Sequence, residues 1–342
     1  MNTPNDSLQV LLFDAAPVRG EIVRIESSWQ AILQHKDYPL VVRRLLGELV
    51  AAGILLSGTL KFKGSLIIQA QGQGPIKLLV VECDDQLNIR ATAKLDDSVD
   101  FSALEKEKAS LSKLIHPNGQ GQLVITLDPA DRKPGQNPYQ GIVSLSDSER
   151  PISSIAEAIE LYMRNSEQLE TRVWLANDDK SCGGLLLQRL PNLGGQLNME
   201  EAEAADSWSR IQILTETITT EELLTLPTDT IMKRLYLDES QHHGVRSFEA
   251  RSIQFRCRCS RIKVANMLKM LGEEEVNSVL AEQNEVATTC EFCGQVYKFD
   301  AVDCKQVFAS SNLSAGVQSA TQRSEEHTSE LQSHSFISYA VF

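Results

Sequence analysis

From Tyr38 to Leu56 the apolar residues Val41, Leu45, Leu46, Leu49, Val50, Ile54 and Leu55 recur near helical spacing, and the pair Ser57-Gly58 then interrupts them. This pattern predicts a buried helix. The period then shortens to that of strands, with apolar-rich runs at residues 59–62, 65–70, 76–83, 87–94, 123–127 and 141–145. Gly72, Gly74 and Pro75, then Asp84 and Asp85, stand where hairpins turn, so an antiparallel meander is expected. A second helix, with Pro151 near its first turn and Ile155, Ile159 and Leu161 turned inward, is predicted to run to about Arg164. Strands at 172–176 and 184–190 complete the body, which closes near Pro191. The class is α+β, with an antiparallel sheet in the N-terminal domain.

Residues 192–207 are acidic and poor in large apolar groups, and they read as a connection. Beyond them the spacing is helical again: Leu214, Ile218, Leu223 and Leu224, a break at Pro227, then Ile231, Leu235 and Leu237. Short amphipathic helices are marginal alone and borrow stability from a neighbouring surface, so this stretch is expected to be detachable. Residues 242–251 are polar. A last unit, from about Phe255 to Phe299, carries helical stretches at 261–271 and 273–282 between two cysteine pairs, and a strand at 295–299. The final segment at 323–342, RSEEHTSELQSHSFISYAVF, shares no pattern with the rest; it resembles a translated sequencing adapter and is set apart from the fold.

Composition narrows the function. With 342 residues, 42% apolar and 23% charged, the chain has room for a full core and one or two smaller modules. A formal net charge of −13 argues against broad nucleic-acid binding, which needs clustered Lys and Arg. The longest apolar stretch, 49–56, is far shorter than the roughly 20 residues that span a bilayer. No basic residue precedes Arg19, so a secretory signal is not expected and a cytoplasmic location is. There is no GxxxxGK[ST], HExxH or GxSxG motif, and QGQGP at 71–75 lacks the GxGxxG spacing and reads as a hairpin turn. Nothing indicates an ATP-driven or hydrolytic enzyme.

The chemistry lies in the cysteines. Of seven, four form two tight pairs: Cys257 and Cys259 as CxC, Cys290 and Cys293 as CxxC. In a reducing compartment such pairs point to metal binding or redox sensing rather than to a disulfide framework. Four thiolates at these spacings suit a tetrahedral zinc site, and a unit this small needs such a staple: structural zinc contributes about 10–16 kcal/mol. The same sulfurs can also form two local disulfides, and a bridge across CxC closes a small strained ring that is easily reduced again. Three readings stay open at this point. A permanently closed zinc ribbon is the plainest and outranks a redox switch on spacing alone. A nucleic-acid ribbon would use Arg256, Arg258, Arg261 and Lys263, which can equally act to lower thiol pKa values. A dithiol oxidoreductase needs CxxC at a strand-to-helix junction, whereas Gly294 and the run after it look like a strand following a zinc knuckle. Cys83, Cys182 and Cys304 read as small buried thiols, and His242 and His243 as solvated side chains.

Several longer motifs occur in order: VRGE at 18–21, SGTLKFKGSLIIQAQGQGP within 55–75, YMRNSE at 162–167, GGLLLQ at 183–188, LTETITTEELLTLP at 214–227, and FRCRCS and TCEFCG around the cysteine pairs. Over about residues 8–305 the chain resembles the 33-kilodalton heat shock protein family, also called the 33-kilodalton chaperonin, a group of redox-regulated holdase chaperones. The resemblance implies an α/β chaperone core at 1–203, a metastable helical linker at 204–254, a zinc-binding redox-switch domain at 255–308 and a tail at 309–342. It implies one zinc ion held in the reduced state by Cys257, Cys259, Cys290 and Cys293. On oxidation it implies bridges Cys257–Cys259 and Cys290–Cys293, zinc release, an unfolded linker, a homodimer, and ATP-independent binding of unfolded or partly folded clients. It implies neither a nucleic-acid nor a membrane partner. Cys83, Cys182 and Cys304 lie outside the family's cysteine motif and open a route to off-pathway disulfides.

Overall fold

The computed structural model describes residues 6–60, 63–107, 109–133, 137–146, 151–191 and 200–315. Along the chain these form β1 (Ser7–Phe13), β2 (Val18–Ile25), α1 (Ser27–Leu33), α2 (Leu40–Thr59), β3 (Gly64–Gly72), β4 (Ile76–Asp84), β5 (Asn88–Leu95), α3 (Phe101–Lys106), α4 (Leu111–Ile115), β6 (Gly121–Pro129) and β7 (Tyr139–Ser144). Then follow α5 (Ile155–Ser166), β8 (Thr171–Asn177), β9 (Cys182–Arg189), α6 (Glu201–Thr215), α7 (Thr220–Thr225) and α8 (Thr228–His242). The short strands β10 (Val245–Ser247), β11 (Arg251–Ser252) and β12 (Gln254–Phe255) lead to α9 (Arg261–Leu271), α10 (Glu273–Gln283), β13 (Val286–Thr289), β14 (Val296–Phe299) and α11 (Ala301–Ala315). The chain divides into two units, Met1–Arg256 and Cys257–Phe342.

In the first unit α2 is apolar almost all round, the signature of a helix buried on every side. It packs against strands of two sheets, one ordered β10-β1-β2-β9-β8 with β11 also on β1, the other β12-β5-β4-β3-β6-β7. Alternate residues of each sheet point into this core: Leu8, Val23 and Leu186 from the first, Leu66, Ile68, Leu79, Val81 and Ile125 from the second. The opposite face of the first sheet is covered by α6, α7 and α8. Their Trp208, Ile211, Leu223, Leu224, Ile231, Leu235 and Tyr236 bury Leu11, Phe13, Val18, Ile22, Leu185 and Leu187. Tyr236 stands edge-on to Phe13, with ring centroids 5.1 Å apart, and its hydroxyl meets Thr215 Oγ1 at 2.7 Å. Helices too short to persist alone are thus held by the sheet they cover.

Several sequence expectations need correction. The meander holds only for β3, β4 and β5; β6 returns to pair with β3 along its whole length, after the chain crosses over through α3 and α4. Ser57-Gly58 is no break, since α2 continues to Thr59, whose hydroxyl donates to Leu56 O at 2.8 Å. The strand expected at 59–62 therefore fails at Thr59, and residues 61–62 lie outside the described residues. Pro151 does not open α5; Ser154 caps it, accepting from Glu157 N at 3.2 Å, while Pro151 bridges to Ser146. The acidic run at 201–207 belongs to α6, where Glu201 and Glu203 in the first turn suit the helix dipole. Residues 192–199 and the adapter-like segment 323–342 lie outside the described residues. The polar stretch 242–251 contains β10 and the first residue of β11, both of which pair with β1.

One interior contact ties β2 to the last turn of α2. Arg19 Nη2 donates to Glu21 Oε1 and, at 2.7 Å, to the Gly58 carbonyl. Glu21 is fully buried, and burial pushes its carboxyl up to about 8, although the Arg19 guanidinium pulls the other way. Such a group binds its proton more tightly folded than unfolded. Its stabilisation is complete below the ordinary value of 4.5 and is lost as pH rises through about 8. The urea stability of the first unit should therefore fall by up to roughly 1.4 kcal/mol per pH unit across that window, and Glu21→Gln should flatten the fall. Tryptophan fluorescence reads this unit alone, since Trp29, Trp174 and Trp208 all lie in it. A native profile as flat as that of the glutamine variant would contradict the assignment.

Candidate metal centre

The second unit is built on a small core of Val264, Leu268, Val276, Val286, Phe299 and Cys304. Cys257 and Cys259 lie on the extended stretch between β12 and α9, whose N-cap Ser260 accepts from Lys263 N at 3.3 Å. Cys290 and Cys293 occupy the turn of the β13–β14 hairpin. There Cys290 N donates to Gln295 O at 2.9 Å and Gly294 N to Cys290 O at 2.8 Å. Gly294 has φ +68°, the left-handed conformation that glycine takes without strain, and this closes the knuckle.

These two local structures bring all four sulfurs within 4.8 Å of one another. Cys257 Sγ lies 3.6 Å from Cys290 Sγ, and Cys259 Sγ 3.4 Å from Cys293 Sγ. The chain aims donors at the sulfurs: the amides of Phe292 and Cys293 at Cys290, of Gln295 at Cys293 and of Cys259 at Cys257. The Tyr297 hydroxyl donates to Cys259 Sγ at 3.1 Å, and that bond pushes the phenol up to about 12.

The protons show what the cluster lacks on its own. The Cys290 thiol hydrogen-bonds to Cys257 and lowers it to about 4, while Cys290 itself is driven far up by the same bond and by burial. Burial and neighbouring sulfurs raise Cys293 to about 11. The acidity of Cys257 thus comes from adjacent thiols and an amide rather than from the nearby arginines. Arg261 is otherwise engaged, donating to Lys298 O at 2.7 Å, pairing with Asp303 at 2.7 Å and lying 4.2 Å from the Phe299 ring centroid. One thiolate in this cluster opposes the next, and a divalent cation removes that opposition. An all-sulfur, four-donor set with N–H donors around it fits zinc.

Other cysteines stay apart from the cluster. Cys83 and Cys182 are buried in the first unit, where burial pushes Cys83 up to about 12 and Cys182 well above its ordinary value. Cys304 is buried in the second unit's core. His242 and His243 end α8 and are exposed. Sequence reasoning missed Tyr297; its position opposite Thr288 in the hairpin, near the knuckle, was the available signal.

An α+β body with a helix-covered sheet, followed by a unit organised around four clustered cysteines that could hold a metal ion, defines the class of protein. Residues 6–300 match the family model described as Hsp33 protein, and the chain belongs to this chaperone family, which is not an enzyme family. It is 45% identical to the 33 kDa chaperonin of Methylobacillus flagellatus over 91% of this chain and 97% of that protein. It is 42% identical to the 33 kDa chaperonin of Chromobacterium violaceum, over 89% of this chain and 94% of that one. The fold also matches the crystal structure of the 33 kDa chaperonin of Thermotoga maritima, with TM-score 0.69 and 20% identity, covering 90% of this chain and 99% of that chain. Among the described residues no helix is long and apolar enough to cross a membrane.

Proposed function

We propose that the chain is a cytoplasmic, ATP-independent holdase that oxidation switches on, binding unfolding proteins and preventing their irreversible aggregation. The observation that carries this reading is the four-sulfur cluster in a unit of its own, joined in sequence to helices that cover an apolar sheet face. In the reduced state Cys257, Cys259, Cys290 and Cys293 would hold one zinc ion, which when bound keeps all four sulfurs as thiolates and adds folding energy to a small core.

Oxidation consumes the donor set. Each bridge forms from two thiolates with loss of two electrons, which one hydrogen peroxide accepts together with two protons from solvent to become two waters. All four sulfurs are mutually close, so proximity permits more than one pairing, and two approaches of 3.6 and 3.4 Å run between the pairs. The family resemblance favours Cys257–Cys259 and Cys290–Cys293. Once bridged, the sulfurs no longer hold metal, the second unit loses its fold, and the segment leading into it loses its fixed end. The linker at 204–254 then unfolds and α6, α7 and α8 leave the first sheet, baring Leu11, Phe13, Val18, Ile22, Leu185 and Leu187 to clients or to a second copy.

Peroxide titration at moderate heat tests this, with zinc release, thiol loss and protection of a denaturing client followed together. Protection should rise in step with loss of four thiols and one zinc, and peptide mapping should find the within-pair bridges. Equal protection by the reduced and oxidised protein would refute the switch; cross-pair bridges alone would refute the pairing.

A further inference from the structure

The first unit has two sheet edges covered by one segment. Residues 244–256 run along β1 and then along β5. Asp14 N donates to Gly244 O at 2.9 Å, Phe248 N to Val10 O at 3.0 Å and Ile253 N to Asp6 O at 3.1 Å. The segment then crosses to the second sheet, where Gln254 N donates to Leu87 O at 3.2 Å and Arg256 N to Ile89 O at 3.0 Å. Within it β10 and β11 pair antiparallel with β1, and β12 pairs parallel with β5.

This strap is held mainly by its main chain. Ile253 is its one fully buried side chain, Val245 and Phe255 are half-buried against the two cores of the unit, and Arg246, Ser247, Phe248, Arg251, Ser252 and Gln254 are exposed. Its ion pair and side-chain donors are at the surface, Arg246 to Asp14 at 2.5 Å, Arg251 to Asp85 O at 2.8 Å and Gln254 to Asn88 at 2.6 Å, while Phe255 N donates to Ser28 Oγ at 3.0 Å and Gln9 Nε2 to Phe248 O at 3.4 Å. Surface ties of this kind contribute little, and a segment with one buried and two half-buried apolar side chains lies nearer the low-stability end of the fold than the core strands it covers. By contrast β1 and β5 are anchored by β2 and β4 and by core residues such as Leu8, Leu11 and Ile89, so they stay when the strap leaves. A bared edge presents a row of unpaired amides and carbonyls, a template for another strand.

We infer that the β1 and β5 edges uncovered when residues 244–256 leave are where an extended segment of a client binds, adding a strand through main-chain hydrogen bonds. The inference rests on the reading above that the linker is released. It names the partner by conformation: an unfolded polypeptide in extended form, with alternate apolar side chains to lie beside Leu11 and Phe13 on one face and Val10 and Leu12 on the other. Main-chain recognition tolerates sequence, as a partner defined by being unfolded requires.

The test uses the oxidised full chain and reduced, carboxymethylated α-lactalbumin as a permanently unfolded probe. The competitors are two alternating valine–threonine peptides, one of them N-methylated at every second amide. Hydrogen exchange should show the strap amides of Phe248, Ile253, Gln254 and Arg256 losing protection on oxidation. The probe should then protect the edge amides of Leu12 and Asp14, and the N-methylated peptide should compete at least about tenfold less well, as loss of two or three hydrogen bonds requires. Equal competition, with Leu12 and Asp14 unprotected, places binding on side chains of the sheet face and overturns this inference while the holdase reading stands. Concentration-dependent protection of the β1 edge without probe assigns it to a second copy, which also overturns it. An oxidised chain that neither binds the probe nor protects a denaturing client refutes the holdase reading itself.

Discussion

Serine in place of both Cys290 and Cys293 is expected to leave residues 257–315 without a cooperative fold, even in reducing, zinc-containing buffer. A serine hydroxyl is a poor zinc ligand, and the two remaining thiolates cannot close a tetrahedral site. The expected loss is on the order of 10 kcal/mol or more, against total stabilities of about 5–15 kcal/mol for whole domains. The core of Val264, Leu268, Val276, Val286, Phe299 and Cys304 is too small to offset it. Bound metal measured with a colorimetric chelator should fall to background, and the amides of Val264, Leu268 and Phe299 should exchange freely. The first unit, followed by tryptophan fluorescence, should still show a cooperative transition. Full amide protection in metal-free variant protein would show that zinc does not determine this fold.

Gly183→Val should release the helical cover without any oxidation. A Cβ at Gly183 would stand 2.5 Å from the Leu223 carbonyl oxygen and 3.1 Å from its carbon, backbone of α7 that a rotamer change cannot move aside. The strand itself tolerates valine well, since β-branched residues suit a pleated surface. The strain therefore falls on the docking of α7, which Arg24 Nε otherwise secures by donating to Leu224 O at 2.8 Å. Overpacking of this kind costs about 1–3 kcal/mol, a shift of roughly 5- to 150-fold in the docking equilibrium. Amides of α6, α7 and α8 should exchange faster by that factor, and the reduced, metal-bound variant should protect a denaturing client. Unchanged exchange in α7 would show that Gly183 is not what seats the helix.

These two positions differ in how plainly the sequence displays them. The CxC and CxxC pairs are visible as spacing, because sulfurs two or three residues apart are brought together by a local turn. The unit around them was legible for the same reason: α9 matches the predicted 261–271, and α10 extends the predicted 273–282 by one residue. Periodicity likewise located α2 and most strands, since a buried face leaves its mark in side-chain polarity. Gly183 carries no such mark. Nothing in GGLLLQ says that a carbonyl from α7 will lie against it.

The elements missed share one cause. The hairpin of β1 and β2 was not predicted, β6 was not assigned to β3, and residues 242–251 read as merely polar although they cover β1. Strand pairing is made by backbone groups that every residue carries, so side-chain pattern does not say which edges meet. A strap on a sheet edge faces water and is polar, which makes it look like a loop. The amino-acid order alone was enough to mark a unit with two cysteine pairs, an α+β body and helices between them, because cysteine spacing and hydrophobic period are local properties. The three-dimensional fold settled which sheet face those helices cover, which edges the strap closes and that Glu21 is buried beside Gly58, because each depends on contacts between residues far apart along the chain.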